Sequence, residues 1–170
     1  AWRSADGRHA LVLMADCKGH GVHAAGMAAL ADAVADEASP MVLDRVLMAA
    51  PAQPDGADPR LHALWELYNA LQRAASDYSD KFDAPMFMEL TMALVDYDTN
   101  TVLEVPVGAP AAVVAPAEPV DGERVYGGPE TRISNPLTML GTWFMTPATF
   151  EEFAAVVLRH DGPKTIATNT

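Results

Sequence analysis

Cysteine is nearly absent. Cys17 stands alone among 170 residues, so no internal disulfide can form, and an unpaired thiol fits a reducing, cytoplasmic compartment. Basic residues are also scarce: 11 Lys and Arg against 23 Asp and Glu give a formal net charge of −12. A nucleic-acid duplex or an anionic membrane surface would be repelled by that balance, so no nucleic-acid partner is expected. No apolar run reaches the roughly 20 residues that a membrane-spanning helix needs. The segment is therefore expected to be soluble, whether cytoplasmic in its own right or the cytoplasmic domain of a membrane-anchored protein. Ala1 is not an initiator methionine, and no basic or signal-like segment follows it, which reads as an excerpt from a longer polypeptide. Internal repeats, heptads and low-complexity tracts are missing too. What remains is half apolar by count, in a chain long enough for one domain with a sizeable core and too short for two.

Residues Ala10–Ala15 form a short, wholly apolar run that ends in Asp16 and the glycine-bracketed turn Gly19-His20-Gly21. That pattern predicts a buried strand delivering a carboxylate to a loop. Helix is predicted for Val22–Glu37, with Val22, Ala25, Ala29, Leu30, Ala33 and Val34 on one face. Pro40, Pro51, Pro54, Gly56 and Pro59 then argue for a loop, with room for a helical turn or two over Met41–Ala50. Asp58 before Pro59 reads as a helix cap, and Leu61, Leu64, Trp65, Tyr68, Leu71 and Ala75 predict an amphipathic helix ending near Tyr78. Phe87–Tyr97 predicts a strand, Asp98-Thr99-Asn100 a turn, and Thr101–Val105 an antiparallel return. Ala111–Ala115, Phe150–Leu158 and Lys164–Thr168 are further strand candidates. Consecutive helices followed by consecutive strands point to an α+β layered domain, not to alternating βα units.

Chemistry is concentrated at Met14–Ala25. An aspartate at a strand end, where glycines turn the backbone into a helix, can offer a carboxylate and a main-chain carbonyl to a hard cation. It can also serve simply as an Asx turn or helix cap. Cys17, His20 and His23 suggest zinc, but one turn lacks a fourth ligand and the usual spacing. Cys17 as a thiolate nucleophile beside Lys18 is physically possible, although the loop has no arginine to hold a phosphate. Flanking glycines suit His20 to supporting the loop. Met86, Met88, Met92, Trp65 and Tyr68 read as core, and Asp96 and Asp98 as turn residues.

The stretch Asp16-Cys17-Lys18-Gly19-His20-Gly21-Val22-His23-Ala24-Ala25 resembles the Asp-Val-Ser-Gly-His-Gly-x-x-Ala-Ala motif of the SpoIIE-like branch of the PPM-type metal-dependent serine/threonine phosphatases. Leu61–Ala74 is similar to that family's Leu-x-x-Leu-Asn-x-x-Leu helix, with Asn69 at the asparagine. Met88–Pro110 resembles its hairpin, except that Val107-Gly108-Ala109-Pro110 has no histidine where Ala-Gly-His-Pro is usual. Leu158–Thr170 resembles its Gly-Asp and Thr-Asp-Gly segment, with Gly162 and Thr170 aligned.

The resemblance implies a four-layer α/β/β/α sandwich of two antiparallel sheets flanked by helices, with two Mn²⁺ or Mg²⁺ ions at one edge. Asp16 would be a metal ligand through its carboxylate and Cys17 through its backbone carbonyl, with Gly19, His20 and Gly21 supporting the loop. The family's Gly-Gly-Asp would lie before Ala1, and its later aspartates after Thr170. No side chain acts as nucleophile in this scheme. Hydrolysis of phosphoserine or phosphothreonine on a regulatory partner is the implied activity, in bacterial relatives commonly on a STAS-type anti-sigma-factor antagonist. An attached sensor domain and homodimerisation are common in such proteins. The alternative is a catalytically inactive pseudophosphatase that binds or relays a signal.

Overall fold

The structure is a computed structural model that describes residues 1–48, 58–82, 87–108, 113–116, 147–161 and 164–167. Strand β2, His9–Cys17, pairs antiparallel along its whole length with β3, Met88–Asp96, His9 facing Asp96 and Cys17 facing Met88. With β1 (Trp2–Arg3), β4 (Thr101–Val107) and β6 (Leu158–Asp161), these strands form a five-stranded antiparallel sheet in the order β1-β2-β3-β4-β6. A second antiparallel sheet joins β5 (Val113–Pro116) to β7 (Lys164–Ala167). Two antiparallel sheets with helices are the α+β class the element order predicts. Asn69 lies within the second helix; Met86, Ala109, Pro110, Gly162 and Thr170 fall outside the described residues.

Helices α1 (Val22–Met48) and α2 (Pro59–Phe82) cover one face of the five-stranded sheet. Alternation along the strands puts Leu11, Leu90, Met92, Leu94, Leu103 and Val105 on that face, and Leu64, Leu67, Tyr68 and Leu71 of α2 close over them. Val42, Leu43 and Met27 of α1 complete the core. On the other face, Glu104 and His160 form a buried hydrogen-bonded pair 3.0 Å apart.

Three expectations are corrected. Helix α1 does not stop near Glu37 but runs through Pro40 to Met48. A proline removes one intrahelical hydrogen bond, and burial of Val42, Leu43 and Val46 beyond it offsets that loss. The predicted apolar face of α1 is out of phase: Val22 is 85% exposed, and Ala24, Met27 and Ala35 are the buried positions. Alanines on every side give too little contrast for periodicity to fix the rotation. Finally, Phe150–Leu158 is not one strand. Residues Phe150–Ala154 form a short helix, α3, and β6 begins only at Leu158. Thr149 caps α3 by accepting a hydrogen bond from the Glu152 amide, while the Glu152 carboxylate accepts one from the Ala148 amide at 2.7 Å.

At the hairpin end of the sheet, Asp96 accepts hydrogen bonds from the amides of Asp98 and Thr99, closing the turn as expected of it. Arg60 ties Asp96 to Asp58, the residue that caps α2, through contacts of 2.9 and 2.6 Å. Burial pushes the Asp96 carboxyl up, but the hydrogen bonds from Thr99 and Asp98 and the nearby His9 outweigh it and hold it below the ordinary 3.8. Asp58 is likewise held low, Arg60 outweighing burial. A carboxyl whose folded pKa is depressed stabilises the fold above its unfolded pKa, and that stability is lost as pH falls through the folded value. The urea midpoint should therefore drop from pH 5 downward through the region below 3.8. Asp96→Asn should flatten that slope, and an unchanged slope would show that Asp96 contributes nothing to it.

Candidate functional site

Strand β2 ends on a hydrogen bond from the Lys18 amide to the Phe87 carbonyl, 2.8 Å, which fixes Asp16 and Cys17 within the ladder. Beyond it the chain turns through Gly19 and Gly21, both at positive φ (102° and 84°), and enters α1 at Val22. A side chain at either glycine would be strained. The chain thus passes from strand end to helix in four residues, and Asp16, still within the ladder, is exposed. Gly21 starts the helix by accepting from the Ala25 amide. His20 is exposed.

Asp16 faces Glu89 across the ladder, so two carboxylates share one face. They differ in engagement, because Lys18 forms an ion pair with Glu89 at 2.6 Å. The hydrogen bond to Glu89 holds the Lys18 ammonium in its charged form. Asp16 also lines a cleft of about 630 Å³ that β1, β2 and α1 share, with Asp32 and Asp36 contributed by the helix and Trp2 by β1. The Trp2 indole donates to Asp36 at 3.0 Å. Asp32 and Asp36, spaced one helical turn apart, were not singled out in the sequence. Their i, i+4 spacing on an alanine-rich helix was the available signal.

In type, an exposed carboxylate and a main-chain carbonyl suit Mg²⁺ or Mn²⁺, which take oxygen ligands. In number they fall short: among the described residues no group of three His, Cys, Asp or Glu side chains is placed to hold an ion. The zinc reading of Cys17, His20 and His23 fails on the same observation, and the His23 ring instead packs edge-on against Phe82 at 5.4 Å. Electrostatics disfavour the thiolate reading. Burial pushes the Cys17 thiol up, and the neighbouring Asp16 carboxylate pushes it further, while Lys18, the cation that would lower it, is engaged with Glu89.

No protein-family model and no curated protein matches this chain. Among solved structures it is similar to the RsbU and RsbW domains of a Mycobacterium tuberculosis protein, at 13% identity and a TM-score of 0.48 over 92% of this chain. It spans only 33% of that protein's chain. A Stage II Sporulation E family protein from Thermanaerovibrio acidaminovorans is similar at 14% identity and a TM-score of 0.47, covering 92% of this chain and 68% of that one. Among the described residues, no helix is long and apolar enough to cross a membrane.

Proposed function

We propose that this chain belongs to a metal-dependent protein serine/threonine phosphatase, acting on a phosphorylated regulatory protein. The observation that carries the reading is the end of β2, where Asp16 is exposed and lines a cleft, and two left-handed glycines turn the chain that follows it into α1. Asp16 would hold a divalent cation through its carboxylate and Cys17 through its carbonyl oxygen, with the remaining oxygen ligands supplied from outside the described residues. When bound, such a cation would lower the pKa of water toward roughly 7 and so supply hydroxide for attack on phosphorus. The chain's own part is positional. The β2–β3 ladder fixes Asp16, the two glycines let the backbone turn from the strand into α1, and Glu89 holds Lys18 two residues from Asp16. Release of phosphate from a phosphoserine peptide, titrated with Mn²⁺ and reversed by EDTA, tests the assignment. No release at any Mn²⁺ concentration would remove it.

A second reading, a non-hydrolytic relay module, is favoured by one specific observation: the described residues place no three-ligand group around Asp16. Retained binding of a phosphoprotein partner without phosphate release would select it.

Cys17 provides a separate check. If its carbonyl is what matters, Cys17→Ser and Cys17→Val should retain activity within about threefold, because neither removes that oxygen. A thiolate nucleophile would instead lose turnover in both variants and on alkylation.

A further inference from the structure

The first turn of α1 lacks the usual means of fixing a helix start. The residue before Val22 is Gly21, which has no side-chain oxygen to cap the free amides, and the turn carries no acidic residue to complement the helix dipole. It is held from outside, by the far end of α2. The Tyr78 hydroxyl donates to the His23 carbonyl at 3.2 Å. The Tyr78 ring lies over Gly26, where a methyl group would overlap the hydroxyl and come within 3.1 Å of Cζ. Phe82, one turn further along α2, meets the rings of both Tyr78 (4.6 Å) and His23 (5.4 Å). Gly26 is thus a socket, and its missing side chain is what allows the tyrosine to reach the backbone of the first turn.

We infer that Tyr78 is a positioning residue for the turn between β2 and α1, pinning the start of α1 and through it the backbone from Cys17 to Gly21. The inference rests on the function proposed above in one respect only, that this backbone contributes the Cys17 carbonyl to a cation. The ladder holds Asp16 and Cys17 from the strand side only, and the chain that carries the Cys17 carbonyl runs on past Lys18 into Gly19 to His23, which the ladder does not reach. The hydroxyl at residue 78 supplies it, some 55 residues away in sequence.

Amide hydrogen exchange of the whole chain, resolved over residues 18–25, tests the structural half without any metal. Tyr78→Phe should speed exchange there roughly threefold to tenfold, the effect of one lost neutral hydrogen bond, while β3 and β4 stay protected. Gly26→Ala should do the same by displacing the ring, and should add little in a Tyr78→Leu background, where nothing remains to overlap. Unchanged exchange in Tyr78→Phe would overturn the inference. With Mn²⁺ as the probe, the concentration for half-maximal phosphate release should rise in Tyr78→Phe while turnover at saturating Mn²⁺ is kept. A merely structural tyrosine would instead lower turnover in step with the folded fraction. Faster exchange with an unchanged Mn²⁺ requirement would also overturn it, since the turn would then be loosened without consequence for the site. A wild-type protein with no Mn²⁺ response would remove the phosphatase reading, and exchange alone would then decide the role of Tyr78.

Discussion

Asp16→Asn is expected to lower Mn²⁺-dependent phosphate release by about a hundredfold or more while leaving the thermal midpoint unchanged. Loss of a charged ligand weakens a cation that is worth several kcal/mol to such a reaction, and about 2.7 kcal/mol already amounts to a hundredfold. Stability should be spared, because the Asp16 side chain is exposed and asparagine has nearly the same shape. Asp32→Asn and Asp36→Asn serve as comparisons. Both residues line the same cleft, but they stand on α1, so a drop confined to Asp16→Asn would tie the effect to the strand end and not to the negative charge of the cleft. Equal activity in Asp16→Asn and wild type would sink the assignment of Asp16.

Phe153→Ala is expected to cost about 3–5 kcal/mol in urea unfolding, the ordinary loss for a fully buried phenylalanine. Phe153 is 0% exposed and packs between Trp65 and Tyr68 of α2, with ring centroids 5.1 and 5.5 Å away. It is the anchor of α3, whose five residues could not persist as an isolated helix. Phe153→Leu should recover more than half of the loss by refilling the volume. A cost below about 1 kcal/mol for Phe153→Ala would mean that α3 does not dock on α2 as described.

The sequence made some of this architecture legible for identifiable reasons. Helix α2 could be read because Leu64, Leu71 and Ala75 contrast with polar residues on the opposite side, and the β3–β4 hairpin because Asp98-Thr99-Asn100 interrupts two alternating strands. The α1 face could not, since an alanine-rich helix hardly distinguishes its sides and only packing selects Ala24 and Met27. Pro40 is a helix breaker by local rules, but the core beyond it carries the helix through. At Thr149 the Thr-x-x-Glu capping pattern signals the helix start, but the apolar residues around Phe153 fit a strand equally well by local pattern. In the candidate site, Asp16 and its glycines were visible because they are contiguous. Glu89, Asp32, Asp36 and Tyr78 join them only through the ladder and the α1–α2 contact, which no local pattern reveals.

The proposed phosphatase activity requires a divalent cation against the Asp16 carboxylate and the Cys17 carbonyl. Anomalous diffraction from crystals of the chain grown with Mn²⁺ would locate it. A manganese peak is expected within about 2.0–2.6 Å of an Asp16 carboxylate oxygen and the Cys17 carbonyl oxygen, absent from crystals of Asp16→Asn. A peak elsewhere, or none in a protein that still releases phosphate in the presence of Mn²⁺, would contradict it.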